Sequence, residues 1–450
     1  MNASKKKFLF ILLLTITSRL VAQNHAPSTI NDEDIRIRID RDYAYLEKLY
    51  KHLHTNPELS FKEEKTAARI AEELKSCGFT VTTNVGGHGV VGVLKNGEGP
   101  TLLIRTDLDA LPITENTGLD YASKVRTIDD QGNEVGAMHA CGHDVHMSVF
   151  VGTARLLSGF KDRWQGTLVM IGQPAEERGG GAKAMLADGL FTRFPRPDFC
   201  IALHVNATLP TGTVGYCKGF ALANVDAVDV TVYGVGGHGA YPHTAKDPVV
   251  LAAQIILALQ TIVSREIKPI EPAVVTVGSI HGGSKHNIIP DAVHLQLTLR
   301  SYSDDVRNQT IAAIKRITRG MALAAGVPED RLPTVTLHED EFTPVVYNDP
   351  DLTDRLAAIF RTTLGPAKVF ETEPVMGGED FGRYGREEPK IPISIFWLGV
   401  VAPEKYTKSQ QTGEPLPSLH SSQFAPLPEP TIKTGIKAMT AAALQLLRTD

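Results

Sequence analysis

The chain has 450 residues, 42% of them hydrophobic, with a formal charge of -5 and four cysteines. That composition supplies a large core and, by length, roughly two or three domains. It excludes a disulfide framework, and no basic block outside Lys5-Lys6-Lys7 favours nucleic acid or an anionic membrane.

Lys5-Lys6-Lys7 precedes an apolar stretch over residues 8–14 and a less apolar tail to Ala22. This order predicts a secretory signal over 1–22, cleaved near Ala22, and export to the periplasm or beyond. An uncleaved anchor is the alternative, but the stretch is short for a bilayer span, so no stable membrane insertion is expected. Residues 41–53 read as a helix. Ser60-Phe61-Lys62-Glu63 has the form of a capping box, opening a second helix that runs to Cys77 and stops at Gly78. Short β-like runs follow at 80–85, 90–94 and 101–106, the last delivering Asp107-Leu108-Asp109. A helix over 145–157 begins directly after His139-Ala140-Cys141-Gly142-His143-Asp144-Val145-His146. Strands over 167–172 and 199–203 deliver Glu176-Glu177 and His204 at their ends. Cys77 and Cys200 are expected as buried small hydrophobes, and a Cys200–Cys217 bridge stays open.

The middle of the chain differs. Strands are expected at 228–233, 273–280, 294–301 and near Thr334, with helices over 247–264 and 304–325. That β-α-β-β-α-β order is ferredoxin-like. A strand over 393–398, a Pro- and Ser-rich loop over 402–430 containing His420, and a helix over 431–447 close the chain. The expected fold is α/β, a mixed and mostly parallel sheet flanked by helices, with an inserted ferredoxin-like α+β domain. The sheet would come from residues 30–221 and 337–450 and the insertion from 222–336. Open α/β sheets gather ligands at the carboxyl ends of their strands, where the candidate residues fall.

A thiolate among imidazoles and carboxylates suits Zn2+ or a similar first-row ion. Cys141 and His143 are the main candidates, with His139 and His146 in support. In Glu176-Glu177, one carboxylate can coordinate while its neighbour takes a proton from the attacking water. Asp107 and Asp109 share one strand face, where a carboxylate can orient a ligand imidazole. One Cys among His and carboxylates fits an open catalytic site better than a closed structural one. No Gly-x-Ser-x-Gly elbow offers a nucleophile.

Eight motifs occur in a telling order: Arg105-Thr106-Asp107-Leu108-Asp109-Ala110-Leu111-Pro112, the 139–146 segment, Gln173-Pro174-Ala175-Glu176-Glu177, Ala202-Leu203-His204, Gly236-Gly237-His238-Gly239-Ala240-Tyr241-Pro242-His243, Asn287-Ile288-Ile289-Pro290-Asp291, Gly378-Glu379-Asp380-Phe381 and Leu419-His420-Ser421. The pattern resembles the di-metal aminoacylase/carboxypeptidase G family, in the amidohydrolase branch with hippurate hydrolases, N-acyl-amino-acid hydrolases and auxin-conjugate hydrolases. The resemblance implies Cys141, His143, Glu177, His204 and His420 as ligands of two divalent ions, Zn2+ or Mn2+, with Co2+ and Ni2+ as further candidates. It makes Glu176 the general base and Asp109 the orienter of a ligand imidazole. It has His238 reaching a neighbouring subunit's site to stabilise the oxyanion, which implies a homodimer through the inserted domain. It places Asn287 and Arg300 on the substrate carboxylate. Two segments depart from the family pattern: His281-Gly282-Gly283-Ser284-Lys285-His286 is unusually basic, and Leu299-Arg300-Ser301 lacks the usual small-residue context. The implied activity is hydrolysis of the amide bond of N-acyl amino acids, with a carboxypeptidase or dipeptidase as the alternative. A non-catalytic peptide- or metal-binding protein would have no use for the spare carboxylate of Glu176.

Overall fold

The computed structural model describes residues 32–448, so the signal expected over 1–22 lies outside the described residues. Strand Thr101–Asp107 shows how the larger domain is built. Leu102 and Ile104 enter one core and Leu103 the other. Its apolar segment Leu102-Leu103-Ile104 is what a strand buried on both faces requires, and the polar Arg105, Thr106 and Asp107 follow at its carboxyl end.

It is the fourth strand of an eight-stranded sheet. The order is Thr80–Thr83, Val90–Asn96, Gly166–Gln173, Thr101–Asp107, Phe199–Pro210, Ile393–Val401, Val214–Tyr216 and Val369–Glu371. The central four strands are parallel, as is the outermost pair 214–216 and 369–371. The other three pairings are antiparallel. Helices Asp32–Thr55, Glu64–Ser76, His143–Gly159, Pro350–Leu364 and Pro428–Leu446 cover one face around Tyr50, Phe150, Phe360 and Phe396. Helices Gly181–Ala187 and Leu190–Arg193, with the 3-10 helix Asp380–Arg386, cover the other.

Residues 224–337 form a separate antiparallel sheet in the order Ala273–Gly282, Ala292–Ser301, Asn224–Tyr233, Thr334–Leu337. Val228, Val230 and Val232 alternate inward, and helices Pro248–Thr261 and Asp304–Ala324 share their core. Asp247 and Ser303 cap those helices by accepting from the amides of Val249 and Val306. This is the ferredoxin-like order expected from the strand and helix pattern.

Four readings are corrected. The capping box at Ser60–Glu63 does not form: the helix starts at Glu64, and no side chain of the box caps it. Glu58 instead accepts from the amides of Lys65 and Thr66. Ser60 Oγ donates to Asp109 Oδ2 at 2.6 Å, and Glu63 Oε1 accepts from the amides of Phe61 and Ala175. These buried long-range partners outcompete the local ones because buried polar groups elsewhere need them. His204 does not end its strand, which runs on to Pro210. All four cysteines are free, which removes the Cys200–Cys217 bridge, and Cys77 is only half-buried.

Candidate metal centre

The carboxyl ends of the central strands converge on one site. Pairing between Thr101–Asp107 and Phe199–Pro210 ends at Arg105 and Ala202, which frees the space beside His204. The turn Cys141-Gly142-His143 is held open by Gly142, with φ 78°. A Cβ there would sit 2.6 Å from Val205 Cγ2, so the close approach to that strand requires glycine. The turn places the Cys141 thiol and the first residue of helix His143–Gly159 against the same cavity. Ala175 (φ 48°) turns the chain into Glu176-Glu177. His420 (φ 63°) is anchored by its amide, which donates to Ala140 O at 2.9 Å.

Of the five groups among the described residues whose potential ligand atoms all lie within 4.8 Å of one another, two triads share a sulfur: Cys141, His143 and His204, and Cys141, Glu177 and His420; a third joins His143 to Glu176 and Glu177. The shared Cys141 sulfur lies 3.5 Å from His204 Nε2, and His420 Nε2 lies 3.5 Å from Glu177 Oε2. His143 Nε2 lies 3.8 Å from both Glu176 Oε2 and Glu177 Oε1.

The donor chemistry fits cations. His143 Nδ1 donates to Asp109 O at 2.8 Å, and His204 Nδ1 donates to Val205 O at 2.8 Å. Each imidazole is thereby oriented with Nε2 toward the cavity. His143 Nε2, Glu177 Oε1 and Asp109 Oδ1 are buried without a hydrogen-bond partner. Orphaned buried groups of this kind call for a ligand. The electrostatics agree. Burial resists charge on His143, but Asp107 and Asp109 push its pKa up to about 10. Burial and then Glu379 hold Glu176 well above the carboxylate range. Burial lifts Glu177 to about 7, with His143 opposing. Burial, Glu177 and Glu176 raise the Cys141 thiol. These four groups are driven to hold a proton, whereas burial, with His143 adding to it, lowers His204 and His420, which leaves those two imidazoles free to coordinate.

The supporting side chains are distinct. His146 Nδ1 donates to Asp107 Oδ1 at 2.7 Å while its Nε2 accepts from the Val205 amide at 2.9 Å, so neither nitrogen is left for an ion. His139 is buried, with both ring nitrogens unpaired. Asp109 meets His143 most closely through its main-chain carbonyl; its carboxylate Oδ1 is 3.4 Å away. Arg105, Gln173, Glu379 and Asp380 form a buried network against Asp107. The motifs contain these residues, but sequence reasoning gave the four no role. The available signal was an arginine inside the apolar run Leu102-Leu103-Ile104-Arg105.

A cleft of about 830 Å³ opens over the centre, lined by Phe61, Cys141, Glu176, His204, Glu379, His420 and, from the inserted domain, Arg300. Among the described residues the Arg300 guanidinium has no hydrogen-bond or ion-pair partner, and burial lowers its pKa. His238 and Asn287 do not line this cleft. Both are exposed at the short pairing of Gly237–His238 with Ile288–Ile289, where the Gly239 amide donates to Asn287 O at 2.9 Å.

A thiol, imidazoles and carboxylates gathered at the carboxyl side of the central sheet, beside the α+β unit of residues 224–337, have the chemistry of a metal-dependent hydrolase. The chain belongs to peptidase family M20/M25/M40, whose profile matches residues 103–445. Its similarity to thermostable carboxypeptidase 2 of Saccharolobus solfataricus is 36% identity, over 88% of this chain and 94% of that one. With the hippurate hydrolase of Campylobacter jejuni it shares 37% identity, over 75% and 84% of the two chains. The crystal structure of a dinuclear metal binding peptidase of the M20 family from Bacillus subtilis superposes with TM-score 0.73 at 28% identity, covering 91% and 99%. Like these relatives, the protein is an amide-bond hydrolase dependent on metal.

Proposed function

We propose that the protein is an exported di-metal amidohydrolase that cleaves the amide bond of N-acyl amino acids. The observation that carries this reading is Glu176, a buried carboxylate at the edge of the metal triads, in a cleft shared with the unpaired Arg300. Cys141, His143, Glu177, His204 and His420 would hold two divalent ions, Zn2+ or Mn2+. When bound, the ions supply a more acidic water and polarise the scissile carbonyl. Glu176 takes the water's proton and returns it to the leaving amine, from a position 3.8 Å from His143 Nε2 at the edge of the ligand groups. The Asp109 carbonyl fixes the His143 tautomer. Arg300 offers a two-pronged partner to the carboxylate of the amino-acid half.

His238 would act across a homodimer, entering the neighbouring subunit's cleft to meet the oxyanion. Exposed apolar residues on the inserted domain, Leu257 at 72% and Ile270 at 76%, support burial against a second copy. Identity with a carboxypeptidase favours one second reading, in which a peptide occupies the same centre with its terminal carboxylate on Arg300.

The test is Glu176→Gln, which is expected to keep both ions and lose at least ~10²-fold in turnover. It is paired with a panel of N-acyl amino acids and dipeptides assayed with and without chelator. Substantial residual activity of the variant would sink the assignment. N-terminal sequencing of the exported protein checks the cut near Ala22.

A further inference from the structure

His54 sits in the last turn of helix Asp32–Thr55, fully buried behind the metal centre. Its ring bridges two carboxylates, one of them next to His143 in the chain. Nδ1 lies 2.6 Å from Asp144 Oδ2, and Nε2 lies 3.1 Å from Glu115 Oε1. Asp144 follows His143 directly. Glu115 organises the opposite loop, accepting from the Ser123 amide at 2.6 Å and from the Thr117 hydroxyl. The next residue, Asn116, donates its amide to Ser422 O at 2.8 Å, two residues beyond His420. Tyr50 and Tyr121 pack on the ring, with centroids 5.7 and 5.2 Å away, and fix its plane. Two buried carboxylates on opposite sides need two divergent donors on one rigid group, which an imidazolium supplies.

The two triads do not depend on this brace equally. His143 is independently held by the Asp109 carbonyl, and His204 by its strand and the Val205 carbonyl. The His420 segment leans on the Ala140 carbonyl and on Asn116. We infer that His54 is a positioning residue which, through Glu115, sets the His420 loop and so controls cation affinity at the Cys141–Glu177–His420 triad while leaving the Cys141–His143–His204 triad intact. The inference rests on the metal-centre reading above.

The experiment titrates the metal-stripped full-length chain with Zn2+, counting bound ions and fitting both affinities for wild type, His54→Gln, Glu115→Ala and the isosteric Glu115→Gln. Circular dichroism melts check that each variant is folded. In His54→Gln and Glu115→Ala one ion should weaken by at least about tenfold while the other stays within about twofold, the scale expected when an outer support of a ligand is removed. Excess Zn2+ should restore kcat, and Glu115→Gln, which keeps an acceptor for Asn116's loop, should lose less. Wild-type affinity at both sites in a folded His54→Gln, or equal weakening of both, overturns the inference. A wild-type chain that takes fewer than two ions overturns the metal-centre reading itself, a result visible before any variant is compared.

Discussion

Replacing Arg105 with Met removes one cation from among three buried carboxylates. Its guanidinium lies 2.7 Å from Asp107, 2.8 Å from Glu379 and 3.3 Å from Asp380, all with fully buried side chains. Met fills much of the volume but leaves those charges uncompensated. Breaking a buried pair from one side costs roughly 3–5 kcal/mol. Protonation relieves part of that cost. Burial already holds Asp380 at about 7, against the lowering pull of Arg105 and with Glu379 raising it. Without Arg105 its proton affinity rises further, so the folded variant binds more protons than the unfolded chain across the neutral range. Stability then falls as pH rises, and the deficit is larger near about pH 8 than near about pH 6. Urea unfolding followed by the fluorescence of Trp164 and Trp397, both buried, measures the difference at saturating metal. Arg105→Lys keeps the charge without the fork and should fall between wild type and Arg105→Met. A deficit under ~1 kcal/mol, the scale of an exposed pair, or one that ignores pH, refutes the reasoning.

Gly142→Ala is expected to cost about 2–5 kcal/mol, from the left-handed backbone and the clash with Val205, and to weaken metal binding; an alanine variant with wild-type melting and metal content would disprove the close approach. Arg300→Met should raise KM at least about tenfold for carboxylate-bearing substrates while metal content holds, as loss of a charged hydrogen bond predicts; an unchanged KM removes Arg300 from the substrate site. For His54, burial opposes the charge, but Asp144 and Glu115 push its pKa from 6.5 to about 10. Its contribution is therefore complete below its free value and is lost as pH rises toward about 10. Wild type should lose more stability than His54→Gln over that window in parallel denaturant titrations, and matching curves would contradict it.

Much of the larger domain was legible because its central strands carry apolar segments buried on both faces and a helix stop such as Gly78 is a local signal. The β-α-β-β-α-β order of the insertion was equally readable, since period-2 alternation at 228–233 and long helical runs need no partner to show themselves. The site was legible as an inventory of residue types: Cys141, His143, Glu176, Glu177, His204 and His420 were all named from motif and chemistry. Ser60 and Glu63 mark the limit. Their spacing has the form of a cap, yet their side chains serve Asp109 and Ala175, residues far off in the chain.

The cluster 139–146 and its distant partners marked a candidate metal site from sequence, because thiol, imidazole and carboxylate chemistry belongs to the side chains themselves. Only the tertiary structure decided how the work is divided. It showed that Cys141 is shared by two triads, that both nitrogens of His146 are engaged, that Arg300 alone of the three expected inserted-domain residues lines this cleft, and that Arg105 and His54 stand behind the ligands. Those assignments depend on which atoms meet across intervals of up to hundreds of residues, and on which buried groups are left without partners. Local sequence does not encode such long-range satisfaction; packing does.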